Sequence, residues 1–298
     1  MDNNSEHELV KNLLDGVFFV DLDRKITLWN RAAERISGYT ASEVLGVSCC
    51  DKMLECVNSE GERLCDEICP LAATMQDGAA REMNIYLHHK KGHRVPVTVR
   101  TSVLRNEEAE TSGCVETFIE SYSQSQVLQE LWQSNEAGMT DSLGGVGNER
   151  FFEISLSTHL YEFKTFSVGF GVILIDLDQF GAINKTYSKK IGDEVLVMIG
   201  RTLSGVLRKL DIITRGKNDE FMIIVPNMSP DVLAKVAERL RILVKNSFIL
   251  SEKGEVAVTA SLGATLAWPG DTRSSIMERL HKLVDLAKDH GRDQVMAG

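Results

Sequence analysis

A polar turn between two apolar runs is the feature that most constrains the second half of this chain. The runs 212–214 and 222–225 are short and apolar, and the polar residues Lys217, Asn218, Asp219 and Glu220 lie between them. This pattern predicts a β-hairpin with the polar residues at its tip. Two adjacent carboxylates at such a tip form a compact anionic site, which suits Mg²⁺ and a substrate that carries its own phosphates.

Length and charge limit what the whole chain can be. Its 298 residues are enough for two domains of ordinary size, each with its own core. The formal net charge of −10 disfavours general binding to nucleic acids or anionic membranes. The acidic N-terminus has no signal-peptide pattern, and no apolar run approaches the roughly 18 residues of a membrane span. We therefore expect a cytoplasmic protein with neither a nucleic-acid partner nor a membrane segment.

The N-terminal part of the chain alternates short strand-like runs with turns. Its apolar and β-branched residues predict one antiparallel sheet with two short helices after the first hairpin. The predicted strands are residues 16–21, 25–30, 80–87, 94–104 and 114–120, and the predicted helices are residues 31–37 and 42–45.

Motifs in this region match one sensor family. They are residues 19–21, 26–34, 38–40, 43–46 and 113–118. On these motifs, residues 8–121 resemble a PAS domain. The resemblance implies a sensor domain over residues 1–121 whose antiparallel sheet cups a small ligand or a partner helix. We expect an unidentified small ligand or a redox signal there.

Residues 122–139 are predicted to form a linker helix. They are rich in Ser, Gln and Glu, and Val127, Leu128, Leu131 and Trp132 recur at helical spacing. One interpretation is a solvated helix with one apolar side. The other is a short two-stranded coiled coil that passes motion from the sensor to the next domain.

Helices and strands alternate from residue 140 onward, which favours a layered α/β domain over residues 140–298. The predicted helices are residues 148–162, 179–187, 193–207, 230–244 and 273–289, and the predicted strands are residues 168–175, 212–214, 220–225 and 257–267. The chain as a whole is therefore predicted to be of the α+β class. Asp176 closes one apolar strand, and a carboxylate there, facing Asp219 and Glu220, can complete a site for a hard cation.

These segments identify a second family. The runs 176–180 and 219–221 resemble the metal-binding and signature segments of GGDEF domains, the diguanylate cyclases that join two GTP molecules into cyclic di-GMP. The resemblance implies a domain of the nucleotidyl-cyclase type, which works as a homodimer because the two GTP molecules meet across an interface.

The resemblance also assigns roles to single residues. It implies that Asp219 and Glu220 are catalytic and that the Mg²⁺ ligands are Asp176, Leu177 through its carbonyl, Asp219 and Glu220. It further implies a guanine site, a phosphate site and a product-inhibition site for cyclic di-GMP, formed respectively by Asn184 with Asp193, Lys288 with Arg292, and Arg208 with Asp211.

Ordinary structural roles remain open for the same residues. Asn184 could be a polar helix residue, and Asp193 could cap the next helix. The basic pair near residue 290 could complement a helix dipole. Arg208 and Asp211 could form a surface ion pair at a helix end.

Four departures from the family pattern bear on activity. Lys217 and Asn218 replace two glycines, Gly181 replaces a phosphate-contacting lysine, Ser188-Lys189 replaces a Gly-His pair, and His281 stands where an aspartate is usual. Asn tolerates a left-handed backbone but Lys does so poorly, and both side chains are expected to crowd the nucleotide.

Three functions therefore remain open. The first is a degenerate GGDEF protein with weak or no cyclase activity that binds GTP or cyclic di-GMP. The second is an active diguanylate cyclase regulated by the PAS domain. The third is a non-enzymatic dimeric docking module that is switched by the sensor.

A cysteine cluster lies in the sensor region. Thiolates suit Zn²⁺ or an iron–sulfur cluster, so a metal or redox role is one prediction, and several small buried hydrophobes are the alternative. His88, His89 and His93 could join such a site but are expected on an exposed hairpin. The clustered residues are Cys49, Cys50, Cys56, Cys65 and Cys69.

Overall fold

A computed structural model describes residues 10–51, 54–65, 69–106, 108–121, 138–143 and 145–298. The chain divides into two compact units, Met1–Ser121 and Tyr122–Gly298, called here the N-terminal and C-terminal domains. The predicted linker helix at 122–139 falls almost entirely outside the described residues. Within the described ranges, no helix is both long enough and apolar enough to cross a membrane.

The N-terminal domain is one antiparallel sheet with short helices. The strand order is β2-β1-β5-β4-β3. Its elements are β1 (Gly16–Val20), β2 (Ile26–Trp29), α1 (Arg31–Ser37), α2 (Ala41–Val44), α3 (Pro70–Asp77), β3 (Arg81–His88), β4 (Arg94–Arg105) and β5 (Thr111–Glu120). The predicted strands and the first two helices are thus present, whereas α3 was not predicted.

A buried ion pair ties the segment between α2 and α3 to the sheet. The guanidinium of Arg94, 1% exposed, donates to the backbone carbonyl of Glu55 and pairs with its carboxylate at 3.1 Å. Arg63 binds the other carboxylate oxygen at 3.0 Å. Because one buried charge is matched by another, this polar contact can lie within an apolar domain.

The histidine hairpin differs from its prediction. His88 is 2% exposed, and the rings of His89 and His93, both half-buried, stack 4.2 Å apart. The expected exposure is therefore wrong for the histidines, because His88 is buried and the rings of His89 and His93 cover each other, whereas Lys90 and Lys91 at the tip are exposed.

The C-terminal domain is a mainly antiparallel five-stranded sheet with helices on both faces. The strand order is β12-β11-β6-β8-β7, and only β11 and β12 are parallel. A separate hairpin joins β9 to β10. The elements of the C-terminal domain are α4 (Glu149–Phe166), β6 (Phe170–Leu177), α5 (Phe180–Thr186), α6 (Lys189–Val206), β7 (Ile212–Arg215), β8 (Glu220–Pro226), α7 (Pro230–Lys245), β9 (Phe248–Ser251), β10 (Gly254–Ala257), β11 (Ala260–Leu266), α8 (Arg273–Asp289) and β12 (Val295–Ala297).

Strand alternation divides the core of this domain into two layers. Ile173 and Ile175 on β6 pack in the cluster that includes α6 and α7, whereas Val172 and Leu174 pack in the cluster that includes α4 and α8. Successive side chains of a strand point to opposite faces, so the residue after Ile175 returns to the α8 side. This periodicity decides which face receives Asp176.

Helix α8 lies unusually close to the sheet. A β-carbon on Gly263 of β11 would be 2.6 Å from the carbonyl oxygen of Leu280, a distance that real β-carbons do not reach. Glycine at this position therefore lets the helix approach β11 closely. The consequence is that side chains near the end of α8 can reach the ends of the central strands.

Some element boundaries differ from the predictions. Helix α6 begins at Lys189, with Ser188 as its N-cap, and not at Asp193. The strand predicted over 257–267 corresponds to β11, which begins only at Ala260, and β9, β10 and β12 were not predicted. Short strands near a turn carry too few alternating residues to be recognised by period alone.

A carboxyl group is buried on the inner face of the N-terminal sheet. Cys114, Glu116 and Phe118 occupy alternate positions of β5 and are all buried, at 0, 9 and 3% exposure. Burial raises the pKa of Glu116 from an ordinary value of 4.5 to about 8. The folded domain therefore keeps a proton on this side chain at neutral pH.

This proton makes the stability of the N-terminal domain fall as pH rises. Above pH 4.5 the unfolded chain releases the proton while the folded domain retains it up to about pH 8, so unfolding is favoured by as much as about 1.4 kcal/mol per pH unit in that window. The variant Glu116→Gln should remove this slope. The slope is measured by urea unfolding between pH 5 and pH 8, with unfolding of the N-terminal domain monitored through the hydrogen-exchange protection of the β4 and β5 amides.

The matched control is Glu60→Gln, which changes a carboxylate on the exposed surface. This control should keep the slope of the wild-type protein. Identical pH profiles for wild type and Glu116→Gln would contradict the buried protonated carboxyl.

Candidate functional site

Two carboxylates meet where the central strands of the C-terminal sheet end. Asp176 of β6 and Glu220 of β8 are direct register partners, and side chains at such paired positions lie on the same face. Asp219 precedes Glu220 in the hairpin turn, and its carbonyl oxygen accepts a hydrogen bond from the Leu177 amide at 3.3 Å. The structure thus brings together the acidic residues that the sequence placed in one site.

Helix α8 adds two basic side chains to this acidic group. Lys288 Nζ lies 2.7 Å from Asp176 Oδ2. His281 Nε2 lies 3.7 Å from Glu220 Oε1, and its Nδ1 is 2.7 Å from the Met277 carbonyl oxygen. The close approach of α8 to the sheet therefore provides positive charge to the carboxylates.

The electrostatics of the group favour a further cation. Burial and, next, the Asp176 charge raise the pKa of Asp219, against the opposing effect of Lys288. Burial also raises the pKa of Glu220, with His281 opposing and the two aspartates adding to the rise. Because the charges of neighbouring carboxylates contribute to both rises after burial, a divalent ion between these side chains would be stabilised.

The turn between β7 and β8 accommodates its two non-glycine residues, Lys217 and Asn218. Only Asn218 adopts a left-handed backbone, with φ 61°, and the φ of Lys217 lies outside that region. The side chain of Lys217 is 79% exposed, and its Nζ lies 3.7 Å from Glu149 Oε1 at the start of α4. The expected backbone strain at Lys217 is therefore wrong, because the turn requires φ > 0 only at the residue that tolerates it.

Arg215 holds the turn between β7 and β8 through two contacts. Its Nη2 donates to the Asn218 carbonyl oxygen at 2.7 Å, and its Nη1 pairs with Asp141 Oδ1 at 3.0 Å. Charge-assisted hydrogen bonds of this kind hold a turn more firmly than neutral ones. The role of Arg215 was not predicted from sequence, although an arginine directly before an acidic turn is a signal that could have indicated it.

The carboxylates suit magnesium better than they suit a closed metal cage. Among the described residues, no three His, Cys, Asp or Glu side chains are grouped so that they could hold a metal ion. Mg²⁺ is usually bound through one or two carboxylates plus substrate phosphates, so such a cage is not needed. Asp176, Asp219 and Glu220 supply hard oxygen ligands of the required type, as the Leu177 carbonyl would.

The two predicted guanine-binding residues lie at the junction of α5 and α6. A β-carbon on Gly192 would lie 2.0 Å from Asn184 Oδ1, and Asp193 is the next residue. Asn184 Oδ1 is buried and has no hydrogen-bond partner within the described ranges. A buried acceptor without a partner is costly, so a ligand that donates to it would be favoured.

Other residues near these segments have structural roles. Asp178 is buried and accepts hydrogen bonds from Thr259 Oγ1, Ser261 Oγ and the Asp293 amide, so it anchors the strand ends. Because α6 starts at Lys189, the capping alternative for Asp193 is wrong.

Arg292 is exposed and follows α8 with φ 66°. Its side chain makes no hydrogen bond or ion pair in the part of the chain that the structure describes. A predicted phosphate-binding role for Arg292 therefore stays a prediction.

The predicted product-inhibition motif forms a compact turn. Asp211 Oδ2 accepts from the Arg208 backbone amide at 2.7 Å, a backbone contact in place of the surface ion pair considered above. Burial raises the pKa of Asp211, while the nearby charges of Arg208 and Arg239 act in the opposite direction. Arg239 on α7 has a buried Nε without a partner among the described residues. Its position near Asp211 was not predicted, because the two residues are far apart in the sequence.

No metal centre is found at the cysteines among the described residues. All six are free thiols, and the described residues contain no group of His, Cys, Asp and Glu side chains that could hold a metal ion. The predicted zinc or iron–sulfur site is therefore unsupported. Four of the thiols line a cavity instead, namely Cys49, Cys56, Cys65 and Cys69.

Comparison with protein families identifies both domains. The family described as “Diguanylate cyclase, GGDEF domain” matches residues 138–294, and the family described as “PAS fold” matches residues 7–119. The first match alone covers more than half of the chain.

Individual relatives agree with these matches. The chain is 25% identical over 290 residues to the probable diguanylate cyclase DgcE of Escherichia coli (strain K12), covering 97% of this chain and 26% of DgcE. It is 32% identical over 191 residues to the response regulator PleD of Caulobacter vibrioides (strain NA1000 / CB15N), covering 63% of this chain and 42% of PleD. The chain thus spans between about a quarter and a half of the curated relatives it matches.

A solved structure supports the fold of the C-terminal domain. The GGDEF domain of DgcB from Caulobacter crescentus, in complex with c-di-GMP, superposes with a TM-score of 0.52 at 25% identity. The superposition covers 55% of this chain and 97% of that one.

Proposed function

The chain belongs to the GGDEF family of diguanylate cyclases, and on that premise we propose that its C-terminal domain binds GTP with Mg²⁺ and cyclises it slowly. The PAS domain that precedes it would regulate this output within cyclic di-GMP signalling. The observation that carries the proposal is the register pairing of Asp176 with Glu220, next to Asp219 in the turn, with Lys288 paired to Asp176.

Each member of this group suits one part of the nucleotide. The carboxylates would hold Mg²⁺, which supplies positive charge to the phosphates when bound. Lys288 pairs with Asp176 in this structure. Once a metal ion binds the carboxylates, Lys288 would be available to bind the phosphates. The unpaired Oδ1 of Asn184 would accept from a guanine N–H, and Asp193 would accept from the neighbouring donors of the base.

The reaction needs two such sites. The 3′-hydroxyl of one GTP would attack the α-phosphate of the other, forming a new P–O bond while the bond to the β-phosphate breaks, pyrophosphate leaves and the hydroxyl proton passes to solvent. A second attack, by the 3′-hydroxyl of the other nucleotide on the α-phosphate of the first, would close the ring with loss of a second pyrophosphate and a second proton. One domain binds one GTP, so two copies of the chain would face each other as a homodimer. Most of the catalysis in phosphoryl transfer comes from positioning and charge stabilisation.

Slow turnover is proposed because the hairpin and its surroundings differ from the family pattern. Asn218 places a side chain on a left-handed residue that is glycine in the family, and Gly181 leaves an uncharged position where a lysine is usual. A small displacement of reacting groups can reduce the rate by roughly a hundredfold. The carboxylates themselves are retained, so binding is expected to survive better than catalysis.

Restoring both glycines should increase the rate. The double variant Lys217→Gly/Asn218→Gly is expected to form cyclic di-GMP at least about tenfold faster than wild type, because phosphates can then approach the backbone. Chromatographic measurement of the product from GTP and Mg²⁺ tests this.

The matched control is Asn227→Gly, which removes the same side chain from another left-handed residue, φ 54°, at the end of β8. It should leave the rate unchanged, and Asp219→Asn in the glycine background should abolish it. A wild-type rate equal to that of the double variant would refute the slow-cyclase proposal.

Cyclic di-GMP binding at Arg208 and Asp211 is a second candidate function. The two residues and Arg239 place two guanidinium groups near one buried carboxyl. Guanidinium groups bind phosphate and stack on purines, and a carboxylate can accept from a guanine edge. A site of this composition could serve as an effector site even if the cyclase site turned over poorly.

Arg208→Ala should weaken cyclic di-GMP binding by at least about tenfold, because a charged hydrogen-bond donor to the ligand is lost. Calorimetric titration of the full chain with cyclic di-GMP provides the measurement. Lys209→Ala, which removes a neighbouring exposed charge, should change the affinity by less than about threefold. Equal loss in both variants would indicate nonspecific attraction and rule out the site.

A further inference from the structure

Three consecutive residues after α8 have a left-handed backbone. They are Gly291, Arg292 and Asp293, with φ of 111°, 66° and 46°. The amide of Gly291 donates to the Lys288 carbonyl oxygen at 3.3 Å, and the amide of Arg292 donates to the Ala287 carbonyl oxygen at 3.0 Å. This pair of hydrogen bonds is the Schellman motif, in which glycine commonly ends a helix. The motif does not account for the next two residues, whose side chains make the left-handed region costly, so other contacts must hold them.

Asp293 makes these contacts through both its backbone and its side chain. Its amide donates to Asp178 Oδ2 at 3.1 Å. Its carboxylate accepts from Arg241 Nη1 and, at 2.7 Å, from Lys245 Nζ, both on α7. The side chains of Arg241 and Asp293 are 15% and 23% exposed, so water screens this ion pair less than it screens a surface pair. Charge-assisted hydrogen bonds therefore hold the turn from two sides.

Asp178 joins this turn to the candidate metal site. It is 7% exposed and lies two residues after Asp176 in the chain. Besides the amide of Asp293, it accepts hydrogen bonds from two hydroxyl groups of the segment 259–261, each at 2.7 Å. A buried carboxylate with three donors has a fixed position. The segment that would bind Mg²⁺ and the turn that carries Arg292 are thus connected through one side chain.

The turn, and not the helix, decides where Arg292 lies. Lys288 and Arg292 are four residues apart, a spacing that places side chains on one face of a continuous helix. Helix α8 ends at Asp289, however, and the left-handed backbone that follows leaves the helical path. The direction in which the Arg292 side chain leaves the chain is therefore set by the conformation of residues 291–293.

We propose that Asp293 is a positioning residue for nucleotide binding. Held by Asp178 and Arg241, it keeps Arg292 in the conformation from which the guanidinium binds the phosphates of GTP. This role rests on the proposed function of the C-terminal domain and on the phosphate-binding role predicted for Arg292. Arginine binds phosphate through paired hydrogen bonds of defined geometry, so its contribution depends on its orientation. Asp293 itself does not contact the nucleotide and acts through Arg292.

The binding of a GTP analogue that cannot be cleaved at the α-phosphate tests this role. In calorimetric titration of the full chain with Mg²⁺ present, Asp293→Ala should weaken binding by at least about fivefold, because a charged donor to the phosphates loses its orientation. Asp293→Asn keeps an acceptor for Arg241 and tolerates the left-handed backbone, so it should stay within about threefold of wild type. The matched control is Glu278→Ala, which removes an exposed carboxylate paired with Lys282 on α8 and should keep the wild-type affinity.

A double-mutant cycle separates positioning from a general loss of stability. Arg292→Ala should weaken binding by about tenfold. Adding Asp293→Ala to that variant should change the affinity by less than about twofold, because Asp293 acts only through Arg292. The same fivefold loss from Asp293→Ala in both backgrounds, or wild-type affinity in Asp293→Ala alone, would overturn the proposal.

Hydrogen exchange without a ligand tests the turn itself. The Arg292 amide should exchange at least about tenfold faster in Asp293→Ala than in wild type, whereas amides in the centre of β6 should be unchanged. Unchanged protection at Arg292 would contradict the role of Asp293. If Asp293→Ala does not fold, Arg241→Met removes the same ion pair from α7 and takes its place in each comparison.

The same titrations distinguish this proposal from the proposed function. If wild type binds no GTP analogue, the proposed function is wrong, and the role of Asp293 is wrong with it. If wild type binds the analogue and Asp293→Ala binds it equally well, only the role of Asp293 is wrong.

Discussion

The period of two along a β-strand is the constraint on which the candidate site depends. Alternation places Ile173 and Ile175 in one layer of the C-terminal core and returns Asp176 to the opposite face, directly beside Glu220. Two like charges in register would repel each other, so the fold needs a cation there. Lys288 provides one from α8, whose close approach depends on Gly263. Burial raises the pKa of the other two carboxyl groups and the neighbouring carboxylate charges add to the rise, so a further cation beside them would be stabilised.

Much of this arrangement could be predicted from sequence because it follows local periodicity. The hairpin tip, the strand that carries Asp176 near its end and the limits of α8 depend on short-range pattern, and the structure has them. The contact between His281 and Glu220 and the position of Arg239 could not be predicted, since each joins elements far apart in the chain. The conformation at Lys217 also required coordinates, because a turn needs φ > 0 at some of its residues and sequence did not show which.

In the N-terminal domain, the sequence contains a pattern from which the buried carboxyl group could have been predicted. Cys114, Glu116 and Phe118 alternate along β5, so the pattern that predicts an inward-facing strand also places a carboxyl group on its apolar face. The clustering of the cysteines instead suggested a metal site, but the described residues contain no group of three His, Cys, Asp or Glu side chains that could hold a metal ion. A polar residue within an apolar stripe is therefore the more informative feature here, because it identifies a carboxyl group that the fold buries.

The central claim is that the carboxylates of two strands hold a GTP–Mg²⁺ complex. Calorimetric titration with a GTP analogue that cannot be cleaved at the α-phosphate, with and without Mg²⁺, tests this most directly. The account predicts binding at least about tenfold tighter with Mg²⁺ and loss of that dependence in Asp176→Asn, since the metal would bridge phosphates and carboxylates. Equal affinity with and without Mg²⁺, or an Mg²⁺ dependence unchanged by Asp176→Asn, would contradict it.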